Sequence, residues 1–467
     1  MRHERLRRVI VFRLPAVVMG ATLGCDFSAR GAGVRLSPHD IPLTLTHIRP
    51  AMYDKLPNLA PYPARGGYAD GYEPVARTFA RQLERGEEVG AGFTVYRRGE
   101  CVVDLWGGLA DVESQAPWRE DTRVVLFSVT KGFVAMALHL LASRGKLDWD
   151  APVETYWPGF ARNGKEGMTV ATLLGHRGGL AGLDTPLTMD DVTNPSRAAV
   201  LLEALESQSP LWEVGADQGY HAITFGMYAR ELFERICPGE DLGEFLRREL
   251  FEPLGSDVYL GTPAQFDKDI ATLYPPAKPA RVAKMLTNAL TQPQSTEARV
   301  LGQFVRRGSP MRRAFLNPQV PGDDVTVYNK PPARRAVLGW ASATGSAHGV
   351  ARAYLPFASK GKFEGRRYLK ATSLKSVYAR QGWSPNDLVL QKPIGWSHGF
   401  CKEERHLFSP NPESFGHPGM GGALGWADPV EEIAIGYAMN FMDWHIRSPR
   451  ALALCRALYD SPGVVEG

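Results

Sequence analysis

The chain has 467 residues, enough for one large α/β domain with an insertion or for two domains. Hydrophobic residues make up 44% and charged residues 22%, ordinary values for a loop-rich globular protein. The formal net charge is only +4, and five arginines fall within the first 13 residues, so the body is near neutral and a nucleic-acid or acidic partner is not indicated.

Residues 1–65 are rich in Pro and Arg, show no sustained period, and read as a leader and linker. The opening "MRHERLRRVIVFR" is basic, and "LPAVVMGATLGC" is a short apolar run that ends at Cys25. This pattern reads as a signal peptide, as a lipoprotein signal with Cys25 lipidated, or as a disordered or mis-started leader on a cytoplasmic protein. Arg13 interrupts the apolar stretch, Thr22 sits where a lipoprotein signal prefers an aliphatic residue, and the run is too short to span a bilayer. The five cysteines, Cys25, Cys101, Cys237, Cys401 and Cys455, are far apart and form no Cys-x-x-Cys pair. That spacing argues against a disulfide framework or a zinc motif and reads as buried thiols. There is no His-Glu-x-x-His, no phosphate-binding Gly-x-x-x-x-Gly-Lys loop and no complete Gly-x-Gly-x-x-Gly, so neither a metal nor a nucleotide cofactor is expected.

Order is expected from Gly66. Val75, Phe79 and Leu83 recur every four residues and Gly86 follows, which predicts an amphipathic helix with a glycine stop. "GAGFTVYRRGECVVDLWGG" predicts two strands joined by a turn at Arg98-Gly99. A helix opens at Ser128, with Phe133, Met136, Ala137, Leu140 and Leu141 on one face and Gly145 at its end. Residues 150–290 carry helical stretches broken by Gly/Pro loops, and "PPAKPARVAKMLTNALTQPQ" reads as a loop-rich exit. "GALGWADP" and "EIAIGYAMNF" predict strands around a turn at Pro429–Glu432, and a last helix starts with Ser448 as cap and Pro449 in its first turn. Strands at both ends with helices between predict an α/β (α+β) fold. One antiparallel sheet is built from both chain ends and flanked by helices, with a mostly helical insertion. The sheet part is placed at about 66–127 and 300–467, and the helical part at about 128–299.

Ser128 and Lys131 are three residues apart at the mouth of the apolar helix. A serine hydroxyl is a poor nucleophile until a base takes its proton. At this spacing the amine stands on the same helix face, and the unpaired N–H groups of the first turn favour developing negative charge. A lysine with its ordinary pKa near 10.4 is protonated at neutral pH, and desolvation lowers that value. Ser-x-x-Lys also occurs at Ser143/Lys146 and Ser359/Lys362, but neither of those pairs opens an apolar helix. Taken alone, the first pair reads equally as a helix cap and a surface lysine.

"FSVTKG", "LLGHRGGL" at 173–180, "GYHAITFG" at 219–226 and "FGHPGMGGALGWADP" at 415–429 occur in an order that resembles the β-lactamase-related serine hydrolases. That superfamily holds class C β-lactamases, D-alanyl-D-alanine carboxypeptidases and family VIII carboxylesterases. "VVDLWGGLAD" and "YAMN" strengthen the resemblance, which spans roughly residues 66–460 and implies a β-lactamase/transpeptidase-like fold. It implies Ser128 as nucleophile, Lys131 as its activating partner and Tyr220 as a catalytic phenol, whose pKa would fall beside a cationic Lys131. The family's Tyr-x-Asn motif reads Tyr220-His221-Ala222 here, and its Lys-Thr-Gly motif reads His417-Pro418-Gly419. The resemblance further implies an oxyanion hole from the backbone N–H groups of Ser128 and Met420, with His417 and Gly419 at the substrate. His176 in "HRGGL" reads either as turn support or as a functional group.

The missing Asn and Lys are contacts to a β-lactam or peptide amide and carboxylate, so the departures point to a neutral acyl substrate, an ester. The expectation is an acyl-enzyme carboxylesterase acting on a small-molecule ester or acyl substrate, with no cofactor, no nucleic acid and no membrane-spanning segment. The alternatives are a β-lactamase or D,D-peptidase, acyl transfer to an acceptor other than water, or a non-catalytic scaffold of the same fold.

Overall fold

A computed structural model of the chain describes residues 62–320, 324–402 and 406–466. The leader, with Cys25 and the candidate signal run, lies outside the described residues except at its last few positions. The first ordered strand is β1 (Arg65–Tyr68), followed by helix α1 (Glu73–Glu84) and strands β2 (Gly90–Arg97) and β3 (Glu100–Asp111). Arg98 and Gly99 both have positive φ, 52° and 86°, the conformation a two-residue hairpin turn needs to match the twist of its strands.

One ten-stranded sheet carries the domain. From one edge it runs β1, β3, β2, then Ile433–Met439, Leu424–Asp428, Phe415–Pro418, Cys401–Lys402, Ile394–Trp396 and Gly382–Ser384, with Ala116–Pro117 paired to β3. Every pairing is antiparallel, and β2 against Ile433–Met439 is the seam where the two chain ends meet. β2 is buried along its whole length because both of its neighbours and both faces are covered.

Strand alternation assigns the faces. A Cβ at Gly436 would stand 2.0 Å from the Ala347 carbonyl oxygen, so this glycine lets the helix Ala347–Ala358 lie directly on the strand. The next residue, Tyr437, points the other way and bonds Glu88, beside the final helix Pro449–Tyr459. The sheet therefore packs α1 and the final helix on one face, and the helix Ala347–Ala358 with helix α2 (Val129–Ser143) on the other.

Five local expectations differ from what is found. α2 is buried on every side, with Ala142 alone not buried, because helices enclose it as well as the sheet. Lys278–Thr291, read as a loop, is a helix; its prolines lie before it and in its first turn, where proline is tolerated. Helices continue to Arg335 before the chain returns to strands. Ser448 occupies the cap position of the final helix, but its hydroxyl makes no cap bond and lies near Asp443 and Arg450. Cys237, Cys401 and Cys455 are buried, whereas Cys101 is exposed.

Candidate active site

The entrance of α2 is a strained elbow. Phe127 has φ 46°, a left-handed conformation that costs a bulky residue on the order of 1 kcal/mol or more. It turns the chain so that Ser128 stands at the helix mouth, partly exposed, between residues that are buried. The elbow is held from outside. Val124–Val125 pairs with Thr344–Gly345, the Leu126 N–H donates to the Ala343 carbonyl at 2.9 Å, and the Ala343 N–H donates to Thr130 Oγ1 at 3.1 Å. These bonds bring the 340–345 segment against the first turn of α2. That explains why "SATGSAHGVAR" lies at the site although none of its side chains has an assigned chemical role.

Lys131 is fully buried. Its Nζ lies 2.9 Å from Ser128 Oγ, within hydrogen-bond distance, and donates to the Trp340 carbonyl oxygen at 3.1 Å. No carboxylate pairs with it among the described residues, and burial alone holds its pKa well below the ordinary lysine value. Tyr220, also buried, donates its hydroxyl to the same Ser128 Oγ at 3.0 Å. Ser128, Lys131 and Tyr220 thus converge, from sequence positions 92 residues apart at the extreme.

The expected effect of Lys131 on the phenol is reversed. Burial pushes the Tyr220 pKa up, and the same burial disfavours the Lys131 charge that would have lowered it. Burial favours the neutral form of both the amine and the phenol, which share one serine oxygen. In that state the phenol donates to Oγ, the serine hydroxyl turns its own proton to the amine, and an amine N–H stays on the Trp340 carbonyl.

Tyr220 is placed by groups that a motif search does not see. Asp387 is buried, and its Oδ1 accepts the Tyr220 N–H at 3.0 Å and the N–H groups of Val389 and Leu390 at 2.9 Å each. Burial raises its pKa to about 6. The phenol ring stacks on Trp396, with centroids 5.5 Å apart and planes at 5°. His417 lies 5.8 Å from the same ring, buried, with Nδ1 2.9 Å from the Pro418 carbonyl.

His221, in the middle of the Tyr220-His221-Ala222 motif, faces away from the serine. Its Nε2 accepts the Leu180 N–H at 2.9 Å, which places its proton on Nδ1, facing His176 Nδ1 at 3.2 Å. His176 Nδ1 also accepts the His221 N–H at 3.0 Å. Burial lowers the pKa of both rings, so this is a neutral brace between the "HRGGL" turn and the tyrosine segment, and His176 is structural.

The second backbone element is the turn at 419–422. The Gly422 N–H donates to the Gly419 carbonyl at 3.2 Å, and Gly421 takes φ 87°, which fits a type II turn with Met420 and Gly421 at its centre. Such a turn leaves the N–H of its second residue outside the turn bond. Among the described residues neither the Met420 N–H nor the Ser128 N–H donates to a protein acceptor. A Cβ at Gly419 would meet the Leu126 carbonyl oxygen at 2.5 Å, so the turn rests on the elbow itself. Behind it, the Gly421 carbonyl accepts the Asp443 N–H at 2.8 Å and Arg450 Nη2 at 3.1 Å. Arg450 is buried and paired with the buried Glu88 at 2.5 Å. The Met420 side chain is 40% exposed.

The other two Ser-x-x-Lys pairs do not form such a site. Ser143 Oγ is buried and accepts the Lys370 N–H at 2.8 Å, while Lys146 is exposed. Lys362 is likewise exposed.

Residues 75–454 match the family model described as Beta-lactamase. The chain is 32% identical over 369 residues to "Esterase/beta-lactamase LipL" of Mycobacterium tuberculosis, covering 78% of this chain and 80% of that protein. Among solved structures, it superposes on "a family VIII carboxylesterase" with TM-score 0.74 and 32% identity, over 85% of this chain and 99% of that one. A "Penicillin-Binding Protein (PBP) Homolog from Caulobacter crescentus" follows with TM-score 0.72 and 30% identity, over 85% and 99% of the two chains.

Proposed function

We propose that this chain, which belongs to the β-lactamase family of hydrolases, cleaves carboxylic esters through an acyl-enzyme on Ser128. One observation carries the reading: two buried proton carriers, Lys131 at 2.9 Å and Tyr220 at 3.0 Å, converge on one partly exposed serine oxygen. A lysine buried without a counter-ion is costly to the fold, and its use as a neutral base accounts for its presence.

Lys131 takes the Ser128 proton as Oγ attacks the ester carbonyl carbon. The tetrahedral oxyanion sits on the Ser128 and Met420 N–H groups, each worth on the order of 3 kcal/mol to the transition state. The C–O bond then breaks, the departing alkoxide takes the Tyr220 proton, and the Lys131 ammonium restores it. In the second half, water gives its proton to the same pair and attacks the acyl carbon. Acid leaves, and Ser128 regains its hydrogen. With its pKa raised, Tyr220 serves as a proton donor and relay, and Lys131 is the base in both halves.

Two features favour an ester. A buried imidazole, His417, stands where a lysine would meet a carboxylate, and Ala222 stands where an asparagine would meet an amide. The family VIII carboxylesterase among the similar structures agrees with this.

The test is turnover of short-chain aryl esters and a chromogenic cephalosporin by wild type, Ser128→Ala, Ser143→Ala and Ser359→Ala. Ester turnover should greatly exceed cephalosporin turnover, and only Ser128→Ala should abolish it. Loss in either other variant would reassign the nucleophile. A folded wild type that turns over neither substrate and takes no fluorophosphonate on Ser128 would leave the scaffold reading standing.

A further inference from the structure

We propose that Cys101, Asp104 and His348 form a binding site for one divalent transition-metal ion of the zinc class, on the sheet face covered by the helix Ala347–Ala358 and separate from Ser128. The three donor atoms lie within 4.8 Å of one another, and His348 Nδ1 is 3.2 Å from Asp104 Oδ2. Tetrahedral zinc with bonds of about 2.0–2.3 Å separates its ligand atoms by roughly 3.5 Å. The Asp–His edge already has that length, and a small closure brings in the sulfur.

A β-bulge assembles the site. Cys101 and Asp104 are three apart on β3, so plain alternation would send them to opposite faces. The register against β2 slips between Val95 and Tyr96: Val95 faces Val103, but Tyr96 faces Cys101. The extra residue, Val102, restores Cys101 to the face of Asp104, opposite Tyr96 and Thr94. Across that face a Cβ at Gly92 would touch the Ala347 Cβ, which sets His348 over the bulge.

The remaining polar atoms of Asp104 and His348 are already held. Thr94 Oγ1 donates to Asp104 Oδ1 at 2.7 Å, and the Tyr96 hydroxyl is 3.1 Å from His348 Nε2. Arg352 Nη1 donates to that hydroxyl at 3.2 Å. Outer bonds of this kind fix the tautomer and the orientation of metal ligands. Cys101 is exposed and the other two are half-buried, so an ion has an entry path and room for a water as fourth ligand. Binding replaces the His348–Asp104 bond, moves the imidazole proton from Nδ1 to Nε2, where the Tyr96 oxygen accepts it, and releases the Cys101 proton to solvent. The donor set, one thiolate, one imidazole and one carboxylate, suits zinc or cobalt and not magnesium or calcium.

The experiment is titration of the full chain with Co²⁺, followed by Zn²⁺ competition against a chromophoric chelator. Wild type should show near-ultraviolet thiolate-to-cobalt absorption that saturates at one ion per chain and is displaced by Zn²⁺. Cys101→Ser should lose that absorption, and His348→Ala should weaken zinc binding at least tenfold. Thr94→Val, which keeps all three ligands, should weaken it by about tenfold. All three variants should keep wild-type ester turnover, which shows that they fold. Absence of the absorption in wild type, or its persistence in Cys101→Ser at full stoichiometry, would overturn the proposal whatever the fate of the esterase reading.

Discussion

Tyr220→Phe separates proton transfer from binding and from folding. The substitution deletes one oxygen, whose hydrogen bond is to Ser128 Oγ, and Lys131 still holds that oxygen at 2.9 Å. The phenyl ring keeps its stack on Trp396. Stability should therefore change by less than about 1 kcal/mol. Losing a positioned proton donor costs about 10²–10⁴-fold in rate, or about 3–5.5 kcal/mol of transition-state stabilisation. The loss should depend on the leaving group. An alkyl alkoxide needs the Tyr220 proton to depart, whereas a nitrophenolate departs largely unaided. kcat/KM should fall by two or more decades further for ethyl or butyl esters than for p-nitrophenyl esters, with KM little changed. The assay is a matched acyl series with aryl and alkyl leaving groups, run on wild type and Tyr220→Phe. Equal losses across the series would refute the assignment of Tyr220 as the donor to the leaving group.

Lys131→Met should abolish turnover yet leave the protein as stable or more so at neutral pH, because it removes a buried amine whose charge burial disfavours in the fold and not in the unfolded chain. The sign follows: between the lowered folded pKa and about 10.4 the unfolded chain binds the extra proton, so wild-type stability rises with pH there. Thermal melts of both proteins across pH should show that slope in wild type and its reduction in the variant. Asp387, raised from 3.8 to about 6, works the other way: the folded state holds the proton, and stability falls as pH rises from about 4 to 6, by about 3 kcal/mol in all. Asp387→Asn keeps an acceptor for the three N–H groups and should flatten that fall, whereas Asp387→Ala should lower kcat by releasing Tyr220. Arg450→Met should destabilise by about 3–5 kcal/mol by leaving Glu88 buried and unpaired. The double variant with Glu88→Gln should recover stability but not affinity for a boronic-acid transition-state analogue, because the Gly421 carbonyl has still lost one of its two donors.

The sheet, its seam and the serine–lysine–tyrosine convergence were legible because their signals are local or ordered. A hairpin turn at Arg98-Gly99, alternating strands around 429–432 and a lysine one turn inside an apolar helix each state their geometry in a few adjacent residues. What places Tyr220 was not legible. Asp387 and Trp396 are far away in sequence, as is the Trp340 carbonyl that holds Lys131 through its backbone. The sign of the phenol's shift was missed because charge and burial were weighed separately, although the burial that raises Tyr220 also disfavours the charge on Lys131. Period-two reading likewise parts Cys101 from Asp104, and only the bulge at Val102 reunites them. Lys278–Thr291 was hidden by prolines that a helix accepts at its start.

Intact-mass spectrometry after rapid mixing with a slowly deacylating aryl ester tests the central claim most directly. Wild type should gain one acyl mass, mapped by proteolysis to Ser128, while alcohol is released in a burst of one equivalent. An equal adduct on Ser128→Ala, or turnover of wild type with no covalent species and no burst even at the earliest times, would contradict it.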